Sequence, residues 1–297
     1  MLTRQMELAG ELLGPDDYMW TPPGVSHSAF AVTDCEFMLV LPRRPIWDAK
    51  EGDPANRSPG IDMNPVAERL ALACRIVAHQ SHATGLAGQL TIRDPNDAEI
   101  FWTQTYGLAV EEALPANMLR INNEIEVVDG EGMANPANRF HAWVYQARSD
   151  VGAIVQTHAP RASALSMLKE PLVLAHMDVM ALFGDVAWLP NWPGVPFGDE
   201  AGRIITDALG DKSAILLANH GLLTVAATIE RATMLAVTFE HAARLQLLAR
   251  PAGEINQVTP DLGADARDHT RDEAYARAYF RYWTRQLPPE QKPWMQI

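Results

Sequence analysis

A layered α/β or α+β protein is what the sequence predicts, on three observations. Two apolar runs, residues 152–157 before His158 and "AILLAN" before His220, each stop where the chain turns out of a sheet. Two Asn-Pro pairs, Asn64-Pro65 and Asn135-Pro136, stand where a helix cap and first turn belong, ahead of apolar residues at helical spacing. Glycine-rich "GLAGQLTIRDP" and the following "AEIFWTQTYGL" form two stretches able to pair antiparallel.

In chain order, residues 1–47 contain two β-rich runs around Pro22-Pro23-Gly24, a pattern of antiparallel strands. The segment resembles the closing half of a cupin barrel, whose Pro-x-Gly-x-x-His turn falls on Pro22, Gly24 and His27. The paired histidines and glutamate of the first cupin motif are missing. One histidine is too few ligands for a tight metal, so the segment is read as structural. Residues 48–63, rich in Gly, Pro, Asp and Asn, read as a linker. The helix capped by Asn64 then presents Val66, Leu70, Ala73, Ile76 and Val77 on one stripe. After the strand pair comes a second helix with Phe140, Trp143 and Val144 inward, the strand ending at His158, a helix over 159–168, and a short strand near 172–176. "EAGRIITDALG" is a helix closed by Gly210, "SAILLANHGLLTVA" two strands around a sharp turn, and a long helix runs from about Ile229 to Ala249. Residues 251–297 form a helical extension, with aromatics on several sides of its last helix.

The 297 residues suffice for one large domain with an appendage or for two modest domains. With 24 Lys+Arg against 37 Asp+Glu the net charge is −13, which disfavours nucleic acid and anionic membranes as partners. Cys35 and Cys74 lie far apart in unlike surroundings, as reduced thiols do. The first residues are too acidic for a signal peptide and no apolar run approaches a membrane span, so a cytoplasmic location is expected.

Strand ends are where side chains converge on a pocket, so His158 and His220 are the candidates for one site. Gly221 beside His220 is expected to let the chain turn tightly and to leave room at the imidazole. His176 and Asp178 in "VLAHMDVMALF" would point the same way on a strand, as an acid/base or ligand pair must.

Together "GLAGQLTIRDP", "RFHAWVYQARSDVGAIVQTHAPRASALSML" and "AILLANHGLL" resemble, in order, the substrate loop, central helix with ligand strand, and third-histidine turn of the class II aldolase/adducin family. The resemblance covers residues 64–250. It implies a three-layer α/β/α fold on a mostly antiparallel sheet, a homotetramer, a small-molecule substrate, and a divalent metal, zinc first and manganese or iron next. The family's ligands fall on His158 and His220, but its first strand histidine is Gln156 here and its carboxylate is Ala137. Amide is a poor zinc ligand and alanine none. His141, one turn beyond Ala137, is a replacement candidate. Gly85, Gly88, Gln89 and Tyr106 occupy substrate-binding positions. Asn135 and Pro136 replace the small hydroxyl residues of phosphate-binding members, which implies a carboxylated, unphosphorylated substrate.

The resemblance thus implies a metal-assisted carbon–carbon lyase, an aldolase or decarboxylase, with His176 and Asp178 moving protons. The alternative is a noncatalytic assembly or ligand-binding protein of the adducin kind. A two-histidine iron oxygenase on the same scaffold is a third possibility.

Overall fold

The structure, a computed structural model, describes residues 6–8, 11–13, 29–31, 64–83, 85–192, 194 and 198–295. It divides into two units at Pro45/Ile46. In the first, β1 (Met6–Leu8) pairs antiparallel with β2 (Glu11–Leu13) on one side and β3 (Ala29–Ala31) on the other. Pro22, Gly24 and His27, which carry the cupin resemblance, and the linker 48–63 lie outside the described residues.

The second unit is built on an eight-stranded sheet. Its strands are β4 (Gln89–Arg93), β5 (Ile100–Gln104), β6 (Met118–Asn122), β7 (Val127–Asp129), β8 (Ala153–Thr157), β9 (Val186–Leu189), β10 (Ala214–Leu217) and β11 (Gly221–Ala226). They lie in the order β7-β6-β5-β4-β8-β11-β10-β9, and every neighbouring pair is antiparallel except β9 with β10. β8 and β11, which carry the two candidate histidines at their ends, are therefore adjacent central strands, in register from Thr157↔Leu222 to Ala153↔Ala226.

Side-chain alternation along these strands divides the core in two. Ala153, Val155, Ala214 and Leu216 point to one cluster, shared with α1 (Pro65–Val77), α5 (Ile229–Ala249) and α7 (Glu273–Gln286). Ile154, Ile215, Leu223 and Val225 point to the other, shared with α2 (Asn138–Ala147) and α4 (Asp199–Leu209). Both faces of the sheet are covered, which is why its central strands read as unbroken apolar runs.

α1 begins as its sequence predicts. Asn64 Oδ1 accepts the Val66 N–H at 2.9 Å, with Pro65 in the first turn, where no N–H is needed. α1 runs on into a π-helical turn (Ala78–His82) that leaves Ser81 at φ 70° and turns His82 into the core. α2 starts later than its Asn135-Pro136 signal, because the Asn135 side chain accepts from Ala137 N–H and closes a turn ahead of the helix. α3 (Pro160–Ser166) follows β8, and α6 (Pro260–His269) precedes α7.

The strand expected near 172–176 does not form. The apolar spacing after it belongs instead to a 3-10 helix, Met177–Leu182, that buries Val179, Met180 and Leu182. The strand of this region is β9, which finds its partner in β10.

Candidate active site at the ends of two central strands

β8 delivers His158 one residue past its last ladder pair, and the β10–β11 hairpin delivers His220 one residue before its first. The hairpin turn takes its left-handed residue at Asn219, φ 55°, and not at Gly221. Gly221 is needed for space, since a Cβ there would lie 2.5 Å from the Thr157 carbonyl oxygen. The tight turn expected of Gly221 is thus supplied by its neighbour, while the room it leaves at the imidazole is real: the same Cβ would sit 3.3 Å from His158 Cδ2.

The two imidazoles meet with Nε2 facing Nε2 at 3.1 Å, rings edge-on at 78°. Burial holds the His158 pKa below its ordinary value. For His220 burial first and the neighbouring His158 second push it down to about 3. Both rings are therefore neutral at physiological pH, and at most one of the two facing nitrogens need carry the proton between them. Trp192 lies flat on His220, ring centroids 4.0 Å apart and planes 13° apart.

Metal–imidazole bonds of about 2.0–2.1 Å place two neighbouring ligand nitrogens of one ion roughly 3 Å apart. Two neutral imidazoles facing each other at 3.1 Å suit one divalent ion as part of its shell. Among the described residues no group of three or more His, Cys, Asp or Glu side chains could hold a metal, so the pair offers two strong ligands and leaves the other positions to weaker donors, water or substrate.

The other candidates are placed as follows. Gln156, on the α2 side of β8 beside Gln89 and Leu223, is buried, and its Nε2 has no hydrogen-bond partner. His141 is fully buried in α2. Its Nδ1 is 2.8 Å from Thr91 Oγ1, which also meets the Tyr145 hydroxyl at 2.8 Å, and its Nε2 is unpartnered. Burial pushes its pKa down to about 3. It belongs to a buried polar knot between helix and sheet and makes no hydrogen bond to His158 or His220.

In the loop, Gly85 (φ 70°) and Gly88 (φ 97°) use left-handed backbone, and a Cβ at Gly88 would come within 3.0 Å of the Gln156 carbonyl oxygen. Gln89 donates from Nε2 to the Ala137 carbonyl at 3.3 Å, so its amide ties the loop to α2. Tyr106 is 43% exposed in the turn after β5.

His176 and Asp178 require a correction. They are not on a strand. His176 caps the 3-10 helix, accepting the Asp178 N–H at its Nδ1, and both side chains are mostly in solvent. They face each other at 3.6 Å on the surface, with no hydrogen bond or ion pair to His158 or His220.

Sequence reasoning missed two residues here. Trp192 sits in a turn-rich stretch with no periodicity to mark it. His82, buried against the strand with Nδ1 2.9 Å from Thr157 Oγ1, is turned inward by the π-helical turn, which the α1 pattern does not foretell.

An eight-stranded, helix-covered sheet with a histidine pair at its central strand ends defines an aldolase-type α/β domain. Residues 68–247 match the model of the Class II Aldolase and Adducin N-terminal domain, and the chain belongs to that family. It is 32% identical over 180 residues to a 4-hydroxy-3-prenylphenylpyruvate oxygenase/4-hydroxy-3-prenylbenzoate synthase of Streptomyces roseochromogenus subsp. oscitans, a match spanning 60% of this chain and 65% of that one. The decarboxylase NovR of Streptomyces niveus is 30% identical over 180 residues, 60% of this chain and 67% of the relative. Among solved structures, the L-fuculose 1-phosphate aldolase from Glaciozyma antarctica PI12 superposes with a TM-score of 0.71 at 31% identity, over 78% of this chain and 92% of that one. The family match starts at residue 68 and lends no support to the cupin resemblance of the first 47 residues.

Proposed function

We propose that the protein is a metal-assisted carbon–carbon lyase, a decarboxylase before an aldolase, acting on a small carboxylated and unphosphorylated substrate. The observation that carries the reading is the approach of two neutral Nε2 atoms to 3.1 Å at the ends of adjacent central strands. When bound there, a divalent ion, zinc before manganese or iron, supplies Lewis-acid stabilisation of the electron pair left by the broken bond. The chain's own share is to keep both imidazoles neutral by burial, so that lone pairs are available without prior loss of a proton. Gly85, with no atom within 4 Å of where its Cβ would stand, exposes loop backbone whose N–H groups can hold a carboxylate. The unpartnered Gln156 amide is a further donor on the same strand end.

Two relatives support the carboxylate, one named for a phenylpyruvate and a benzoate and the other a decarboxylase. The aldolase relative is named for a phosphorylated sugar; Asn135 and Pro136, where phosphate-binding members carry hydroxyls, argue against that substrate here.

The test is metal analysis of purified protein, with carbon dioxide release measured over a panel of aryl and α-keto carboxylates. Near-stoichiometric divalent ion and turnover in the wild type, both lost in His220→Ala, are expected. Less than about one tenth of an equivalent of metal, even after exposure to excess, would remove the reading. A second reading, oxygen-dependent cleavage, is favoured by the two-histidine set and by the oxygenase among the relatives. Oxygen consumption in step with substrate loss identifies it. A homotetramer is the proposed assembly, and mass photometry of the native protein checks it.

A further inference from the structure

A metal-binding imidazole is ordinarily held in its plane by a hydrogen bond to its second nitrogen. Among the described residues, neither His158 nor His220 has such a bond. The hydrogen-bond contact of both rings is the one their Nε2 atoms share. The backbone of His220 is fixed, its N–H donating to the Leu217 carbonyl at 3.1 Å and its carbonyl lying 3.5 Å from Ser163 Oγ. The ring is not fixed by these contacts, because the last torsion of a histidine side chain is broad and nearly two-fold.

Flat against that ring lies Trp192, at 4.0 Å and 13°. The indole is itself seated on the cluster beneath α2 and α4, so it forms a wall with its own support. The indole covers one face of the His220 ring and His158 meets its Nε2 edge, so a turn of His220 about its last torsion runs into the indole and breaks the Nε2–Nε2 contact.

We propose that Trp192 is the positioning residue of the site, setting the plane of His220 by stacking so that its Nε2 stays aimed at His158. The part of this inference that concerns metal rests on the function proposed above; the part that concerns ring order does not.

The experiment uses the full chain as wild type, Trp192→Ala and Trp192→Phe, each checked for folding by circular dichroism. In metal-free protein labelled at histidine, the wild-type His220 ring protons are expected upfield in the indole ring current, with a cross-relaxation signal to the His158 ring. Trp192→Ala loses both, and Trp192→Phe keeps the signal. With Co²⁺ as the probe, Trp192→Ala weakens binding about tenfold and changes the ligand-field spectrum, whereas Trp192→Phe stays within about twofold. An unchanged His158–His220 signal in Trp192→Ala overturns the proposal, as does an unchanged Co²⁺ spectrum. Should the wild type take up no Co²⁺, the metal reading of the site fails, and the ring-order measurement alone decides for or against Trp192.

Discussion

An alanine at position 221 would set its Cβ 2.5 Å from the Thr157 carbonyl oxygen and 3.3 Å from both Cα and Cδ2 of His158. Ordinary contact begins at 3.4 Å, so about 0.9 Å must be found, and the nearest obstacle is backbone, which cannot swing aside as a long side chain can. Gly221 does not use left-handed backbone, so the cost is steric alone. Forcing a methyl into packed structure costs about 1–3 kcal/mol. The displacement falls on the ladder between Thr157 and Leu222, directly beside both imidazoles. A shift of that size is large against the ~0.2 Å tolerance of a metal–nitrogen bond. Gly221→Ala should therefore lose about 1–3 kcal/mol in urea unfolding and bind Co²⁺ at least about tenfold more weakly. A variant within about 0.5 kcal/mol of wild type, with unchanged Co²⁺ affinity, would refute the argument that this glycine makes space for the pair.

Three further outcomes follow from buried polar groups. Burial pushes His141 down to about 3, and burial with the charge of Arg161 does the same for His82. Against an unfolded value near 6.5, both contribute stability that is complete above that pH and is lost as the pH falls towards 3; urea titrations between pH 6.5 and 5.5 should show a slope that His141→Asn lowers by up to about 1.4 kcal/mol per pH unit. Glu240, buried in α5, accepts the Arg161 and Ala162 N–H groups at 3.0 and 2.8 Å; Glu240→Ala strands both and should cost about 1–3 kcal/mol per lost partner at the low end of that range, with Glu240→Gln milder in thermal melts. Asp94 is raised by burial but lowered further by the Asn96 amide, the Trp102 indole and Arg120; Asp94→Ala leaves the indole without its acceptor and Arg120 with the longer pairing to Asp129, and chemical denaturation should show a loss on the order of 2 kcal/mol.

The parts of this fold legible in the sequence are those fixed by local chemistry. Asn64-Pro65 marks the start of α1, and the runs before His158 and His220 are the central strands, because burial on both faces leaves no polar alternation to confuse them. β7 escaped notice because it is a three-residue edge strand, and β6 because Arg120 and Asn122 interrupt its apolar residues. β9 did so because its partner, β10, lies beyond a whole helix in the chain. His176 and Asp178 show the reverse error. A period-two reading put them on one strand face, but the apolar residues that follow want a helical turn, and their burial leaves the pair in water. The candidate site itself was legible only as two histidines. That Trp192 reaches His220 depends on β9 placing the turn after it beside the hairpin, which no local signal encodes.

The family match ends at residue 247, yet α7 sends Ala276, Phe280 and Trp283 into the same cluster that α1 and α5 fill beneath the sheet. The closing helix is thus a keystone and not an ornament. A shortened version cut at the boundary of the shared domain would uncover two aromatic rings' worth of oily socket, and anyone trimming the protein for crystals or for catalysis should expect clumping before any change in chemistry.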